Sequence, residues 1–206
     1  MKYLKMLGLA AVAAMALAAF GASTASATEV YAGNTTYTGP IAASLEPGTT
    51  LGLTDTAGNA IDTCTSAAVN GTISTAGSST TTTSGAISKG GLIWGTAALP
   101  CKQLTVTLSE GELEIHHIAG TDNGTLTGKG NLVTISVFGV SCRYGTGAGT
   151  ALGTLTGKTS TTEHATMDIN AIINEQEPKQ FLCPDTAKWV GSYTVTTPTG
   201  LNVRAS

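Results

Sequence analysis

Charged residues are scarce in this chain of 206 residues: Asp, Glu, Lys and Arg together make up 11% of it. No cluster of Lys and Arg occurs, which argues against nucleic acid or an anionic membrane as a partner, since both require clustered basic side chains. If Lys2 and Lys5 are removed with a leader, 8 basic side chains face 13 acidic ones. Thr, Gly, Ser and Ala dominate instead. We therefore expect exposed faces rich in hydroxyl groups, which suit matrix or coat proteins.

Motifs of catalysis and cofactor binding are also missing from the sequence. No H-E-x-x-H, G-x-S-x-G, phosphate-binding or calcium-loop pattern occurs. These absences predict a protein without a cofactor, a metal or an enzymatic activity.

Only the N-terminus carries a long apolar run. Lys2 and Lys5 precede apolar residues from Leu7 to Phe20, and Ala25-Ser26-Ala27 forms an A-x-A cleavage site. We interpret residues 1–27 as a secretory signal. The alternative is a retained membrane anchor, but the run is shorter than the ~20 residues of a spanning helix. The mature chain, 28–206, is expected to be one secreted or cell-surface domain without a membrane span.

The four cysteines predict two disulfide bonds, because the leader directs the chain to an oxidising compartment. Of the three possible connectivities we favour Cys64 with Cys101 and Cys142 with Cys183, since each pair closes a local loop between neighbouring strands. A zinc site would need cysteine pairs two to four residues apart, and none are so spaced.

The clearest strand pattern is NLVTISVFGVSC, from Asn131 to Cys142. Apolar residues occupy alternate positions from Val133 to Val137, which predicts a strand with one buried face. The apolar positions then change parity around Gly139. We interpret this change as a β-bulge, or as a strand end that is buried on both faces.

Short apolar runs separated by Gly, Pro, Asn and Asp continue along the mature chain, at a spacing typical of all-β folds. The polar tract at about 75–88 is expected to be a flexible Ser/Thr-rich loop or a ragged edge strand. The run 165–173 fits a strand, or else a short helix, and a turn at 198–200 predicts a closing hairpin. The sequence GTLTGK at 124–129 recurs at 153–158, either as equivalent units of a meander or by chance. The predicted strands are 29–38, 41–45, 49–54, 60–64, 69–74, 92–99, 104–108, 112–118, 165–173, 189–196 and 201–203.

Two sets of side chains are candidates for a site. Glu112, Glu114 and His116 fall on one face of a predicted strand and could serve a hydrolase or bind a metal, but alternating charge on a solvated face is the simpler interpretation. Trp94 and Trp189 could form a platform on which a sugar ring stacks. Both lie in apolar runs, so burial in the core is the competing interpretation.

TCTSAAVNGTIS, from Thr63 to Ser74, and CPDTAKWVGSYTVTTPTGLNV, from Cys183 to Val203, resemble small secreted β-sandwich proteins of bacteria. Among these the chain is most similar to the secreted alkane-oxidation activator type, which is associated with the cell surface and the biofilm matrix. The resemblance brings no catalytic or ligand residues.

Together these features predict an all-β, single-domain antiparallel β-sandwich, Ig-like or jelly-roll-like, stapled by disulfides. We expect a non-enzymatic surface, matrix or adhesion-type protein whose strand edges and hydroxyl-rich faces contact other copies or other surface components. A carbohydrate-binding module using Trp94 or Trp189 is the alternative function. A hydrolase using Glu112, Glu114 and His116 is a third.

Overall fold

The described part of the protein is built from β-strands and contains no helix. The computed structural model describes residues 28–78, 83–95, 101, 106–108, 111–137 and 139–206. It follows that no helix in this part of the chain has the length and apolarity to cross a membrane. The strands are β1 (Thr28–Ala32), β2 (Thr35–Thr36), β3 (Gly39–Leu45), β4 (Leu51–Thr54), β5 (Ala60–Cys64), β6 (Ala67–Thr75), β7 (Thr83–Trp94), β8 (Val106–Leu108), β9 (Glu112–His117), β10 (Gly124–Lys129), β11 (Leu132–Val137), β12 (Val140–Gly145), β13 (Thr150–Thr156), β14 (Thr166–Glu175), β15 (Thr186–Thr197) and β16 (Leu201–Ala205).

Eight of these strands form a sheet that closes on itself. The order is β15, β3, β6, β7, β9, β10, β13 and β14, all neighbours are antiparallel, and β14 pairs again with β15 from Thr166↔Thr194 to Asn174↔Thr186. The all-β class and the antiparallel pairing are confirmed. The expected sandwich has two sheets with separate edges, whereas here the hydrogen bonds run around all eight strands. Closure is possible because β15, with 12 residues, pairs with β14 on one side and with β3 and β4 on the other.

The remaining strands extend or flank the closed sheet. β4 and β5 continue outward from β15, while β12, β11 and β8 continue outward from β14. A separate three-stranded sheet has the order β16, β1, β2. It is tied to the closed sheet where the His117 amide, at the end of β9, donates a hydrogen bond of 2.8 Å to Thr28 Oγ1.

The core is one cluster formed by the closed sheet together with the flanking strands. Inward and outward residues alternate along the strands of the closed sheet, and side chains of β1, β4, β11, β12 and β16 add to the same cluster. β14 alternates buried and exposed side chains along nearly its whole length, so the strand predicted at 165–173 is confirmed and the helix alternative is wrong. The largest fully buried side chains are Tyr144, Tyr193, Leu51, Leu53, Leu126, Ile135, Leu152, Leu155, Ile173, Leu201, Val30 and Val195.

The stretch 131–142 is a hairpin and not one bulged strand. β11 and β12 pair antiparallel up to Val137↔Val140, and Gly139 has a φ of +81° at the turn. A residue with positive φ is most easily a glycine. The change of parity at Gly139 therefore marks a reversal of the chain, and the bulge interpretation is wrong.

Both predicted disulfide bonds are present. Cys64 is bonded to Cys101 and Cys142 to Cys183, as the choice of local loops predicted. They are compatible with an extracellular location.

The Ser/Thr-rich loop predicted at about 75–88 is shorter than expected. β6 runs to Thr75 and β7 begins at Thr83, because Ser84, Gly85 and Ala86 each find a partner strand on both sides, β6 and β9. Residues 79–82 lie outside the described residues, as do parts of the strands predicted at 92–99 and 104–108.

Candidate contact surface

The connection between β14 and β15, residues 176–185, carries the most exposed apolar side chains of the described residues; we call it the hairpin tip. Phe181 is fully exposed and Leu182 is 67% exposed. Single exposed apolar residues are ordinary on protein surfaces, but adjacent large ones form a patch of the kind used for contact.

The hairpin tip is covalently and tightly held to β12. Cys183, directly after Leu182, is bonded to Cys142. The guanidinium of Arg143 donates to the carbonyl oxygen of Glu177 at 2.6 Å, and the amide of Gln176 donates to the carbonyl oxygen of Arg143 at 2.7 Å. The base of the tip is therefore anchored to a neighbouring strand on each side of Phe181.

Hydrogen bonds within the tip fix its path further. Glu175 is buried, and its Oε1 accepts the Gln180 amide at 2.8 Å. The Lys179 ammonium lies 3.0 Å from Asp185 Oδ1. This hydrogen bond and ion pair raise the pKa of Lys179. The loop thus presents Phe181 and Leu182 from a backbone whose conformation is already set.

Two more apolar side chains are exposed on the outer face of β14 and β15, the strands that the tip connects. Ile172 is 59% exposed and Val190 is 40% exposed. Ile172 lies opposite Lys188 in the strand register, and Ala171 lies opposite Trp189, whose side chain points inward. We call Ile172, Phe181, Leu182 and Val190, with Glu177 and Lys188, the contact face.

The sequence predictions did not identify this surface. Phe181 and Leu182 stand in the polar segment EQEPKQFLCPDT, between two prolines and next to a cysteine. That composition indicates a turn, and turns lie on the protein surface, so an apolar pair there is not buried by the packing of the sheet. An apolar pair in a cysteine-anchored turn is the signal that could have found it.

Trp94 and Trp189, the candidates for a sugar platform, lie in the core. They are 7% and 5% exposed, and their ring centroids are 5.5 Å apart with the ring planes tilted by 55°. Neither ring offers a free face to solvent, as stacking on a sugar would require.

Three small apolar cavities share lining residues with one another. The first, about 30 Å³, is lined by side chains such as Ile73, Ile115 and Met167. The next, about 10 Å³, shares Met167 with the first and Trp189 with the third. Each has room for about one water molecule, far below the ~300 Å³ of a typical ligand pocket.

Buried polar atoms surround the third cavity, which is also about 10 Å³. Trp94 Nε1, Asn131 Oδ1 and the Tyr144 hydroxyl have no hydrogen-bond partner among the described residues. Burial, with a smaller contribution from the negative charge of Glu175, raises the pKa of Tyr144 to about 12. An unpaired buried hydroxyl costs free energy, which makes Tyr144 a useful test of this interior.

Glu112, Glu114 and His116 lie on the outer face of β9, and only two of them come together. Glu114 Oε2 is 3.7 Å from His116 Nε2, and Thr127 Oγ1 lies 3.2 Å from that nitrogen and 3.4 Å from that carboxylate. Glu112 instead pairs with Lys129 at 3.5 Å. These side chains are partly exposed, and none of them lines the three cavities. A histidine beside a hydroxyl can move a proton, but the outer face holds no substrate in the way a cleft does.

One group of potential metal ligands occurs among the described residues. A carboxylate oxygen of Asp62 and the sulfurs of Cys64 and Cys101 lie within 4.8 Å of one another, and all three residues are buried. Both sulfurs belong to the disulfide bond, so neither is the thiolate that zinc binds. The two sulfurs therefore belong to the Cys64–Cys101 disulfide bond and are not zinc ligands.

The chain was compared with protein-family models, with curated proteins and with solved structures, and none of them matches. What the protein does must therefore be argued from its own residues and contacts.

Proposed function

We propose that this is a secreted, non-enzymatic surface or matrix protein that acts by contact, and that the hairpin tip is its contact element. The observation that carries the proposal is the full exposure of Phe181 on a loop anchored by a disulfide bond and by hydrogen bonds at both ends.

Covering the hairpin tip removes large apolar side chains from water, which lowers the free energy. Moving one large apolar side chain out of water contributes roughly 1.5–3 kcal/mol. A flexible loop would lose conformational entropy on binding, but this loop is ordered in advance. Covering Phe181 and Leu182 is therefore favourable without a large ordering cost.

Other features of the chain support export and a role in contact. The leader at 1–27 predicts secretion, and two disulfide bonds suit an oxidising compartment. The resemblance to secreted bacterial proteins of the cell surface and biofilm matrix points the same way. The exposed apolar groups at this place are side chains, so the contact that we propose is made by side chains.

The test is the retention of the protein by the cells that export it. The double variant Phe181→Ser/Leu182→Ser is compared with the native chain, with the fraction of mature protein bound to cells and matrix measured against the fraction free in the medium. We expect the ratio of bound to free protein to fall at least about ten-fold, because the variant removes two large apolar side chains and the loss of one already implies a change of about that size.

The matched control is Ile93→Ser. Ile93 is also exposed, at 37%, but it lies on β7, three strands away from β15 in the closed sheet. Its retention should equal that of the native chain. If the native protein occurs only as a dispersed monomer in the medium, or if the double variant is retained as well as the control, the proposal is wrong.

A further inference from the structure

We propose that the partner of the contact face is a second copy of this chain, related by a two-fold axis. This inference rests on the proposed function, because it names what covers the same face. The charges around the apolar side chains of the contact face favour a second copy as the partner.

The hairpin tip and its flanks carry both signs of charge in equal number. The cations are Arg143, Lys179 and Lys188, and the anions are Glu175, Glu177 and Asp185. A surface with no net charge does not select a strongly acidic or basic partner, and it has no excess of Lys and Arg for an anionic lipid surface. It can meet its own copy without net repulsion.

Most of these charges are already engaged within one copy. Lys179 pairs with Asp185, Glu175 accepts the Gln180 amide, and Arg143 donates to the backbone of the tip. Lys188 and Glu177 differ in one respect: among the described residues neither has an ion-pair partner within 4.0 Å. Glu177 Oε2 accepts the Lys179 amide at 3.2 Å, which leaves the other carboxylate oxygen for a cation. The contact face therefore carries one ammonium and one carboxylate that lack an ion pair.

A two-fold axis would satisfy both groups at once. In such a contact the same face is used by both copies, so every pair occurs twice. Lys188 would meet Glu177 of the partner subunit, while Phe181 and Leu182 would cover Ile172 and Val190 of the other copy. An apolar centre with charges at the rim is the usual anatomy of a protein interface.

Charge reversal gives a test that depends on the pairing between copies. The mature full-length chain is studied by sedimentation velocity over a range of concentrations, as the native protein and as the single variants Lys188→Glu and Glu177→Lys. Each single variant places like charges opposite one another twice, so its dimer dissociation constant should rise at least about ten-fold. In an equimolar mixture the two variants complement each other, and dimers should return.

Lys158→Glu is the control for the change in net charge. Lys158 lies just after β13 and is 3.7 Å from Glu163, away from the contact face. This variant should dimerise like the native chain.

Three results would overturn the inference: a native chain that sediments as a monomer at every concentration, single variants that dimerise as well as the native chain, or a mixture that dimerises no better than its components. Loss of cell retention in Phe181→Ser/Leu182→Ser together with a monomeric native chain would keep the proposed function and assign the face to a different partner, such as a lipid or another surface protein. A native dimer that is sensitive to Lys188→Glu, with retention unchanged in the double variant, would instead remove the proposed function.

Discussion

The aromatic side chains of the described residues differ widely in burial. Trp94, Trp189, Tyr144 and Tyr193 are buried, Tyr31 and Tyr37 are half-buried, and Phe181, one of three phenylalanines in the chain, is fully exposed. Since aromatic residues make up only 5% of the sequence, placing one at a fixed loop in solvent is a costly use of a core-forming residue. Contact with another surface gives it a physical reason.

The interior predicts an unusual response to the removal of a hydroxyl group. In Tyr144→Phe the lost hydroxyl has no partner among the described residues, so the free energy of unfolding at neutral pH should stay constant or rise by about 1 kcal/mol. The control Tyr37→Phe removes a hydroxyl that donates to the Pro40 carbonyl at 2.6 Å. It should lower the free energy of unfolding by about 1 kcal/mol or less.

The same variant should change the alkaline stability. The pKa of Tyr144 is raised from 10.0 to about 12, so between these pH values the unfolded chain releases the proton and the folded chain keeps it. The stability of the native protein therefore falls as pH rises through this window, and this group contributes no pH dependence below it. The stability of the Tyr144→Phe variant should fall less steeply over the same pH range. Denaturant unfolding at several pH values measures both effects; a loss above about 2 kcal/mol at neutral pH would show a hydrogen bond to Tyr144.

At the scale of elements, local alternation was enough to find most strands. The alternation of apolar and polar residues in β11 and β14 could be recognised in the sequence, because this period-2 pattern depends only on which side chains face the core. The partners of those strands were not readable. The closing hairpin predicted around 198–200 is wrong, since β16 pairs with β1 at the other end of the chain, and no local pattern specifies so distant a pairing.

The repeated GTLTGK segments illustrate the same limit. The first copy forms all of β10, and the second begins within β13 and ends after it. They are adjacent and antiparallel, with Gly124 opposite Leu155 and Leu126 opposite Gly153. Both copies contain strand residues, which either interpretation of the repeat allows, and the bulge between Leu126 and Thr127, which shifts their register, is a tertiary feature.

The disulfide bonds give a prediction that separates the hairpin tip from the rest of the fold. Their cysteines are 37 and 41 residues apart, so Cys64→Ser/Cys101→Ser and Cys142→Ser/Cys183→Ser should each lower the free energy of unfolding by about 4 kcal/mol in the chain-entropy model. Only the second variant frees the tip. Under conditions in which both variants remain folded, retention by cells should fall in the Cys142→Ser/Cys183→Ser variant alone.

Thermal unfolding and the retention assay, applied to the same preparations of the two cysteine variants, measure the stability and the retention that we predict. Equal loss of retention in both variants would mean that retention follows global stability, and the special role of the tip would be refuted.

At the scale of the whole molecule, low charge and abundant hydroxyl residues predicted hydroxyl-rich faces, whereas the contact face that we propose is apolar. The search for reactive groups led to Glu112, Glu114 and His116. The structure brings Glu114 and His116 together on a partly exposed outer face, while the apolar contact face comes from residues far apart in the sequence, such as Ile172 and Val190. Their proximity depends on the pairing of β14 with β15, which sequence patterns do not specify.

The closed sheet and the contact face have separate roles in this account. Eight strands without a free edge give a stable body, and a loop anchored to β12 presents the apolar side chains. We propose that function depends on this surface; the interior cavities have room for only about one water each.

The most direct measurement is oxidative footprinting of side chains on the mature protein, once free in solution and once attached to the cells or matrix that retain it. We predict that labelling of Phe181 and Leu182 falls sharply in the attached protein, while labelling of Ile93 on β7 stays the same. Equal labelling of Phe181 in the two states would contradict the claim that this protein acts by contact through its hairpin tip.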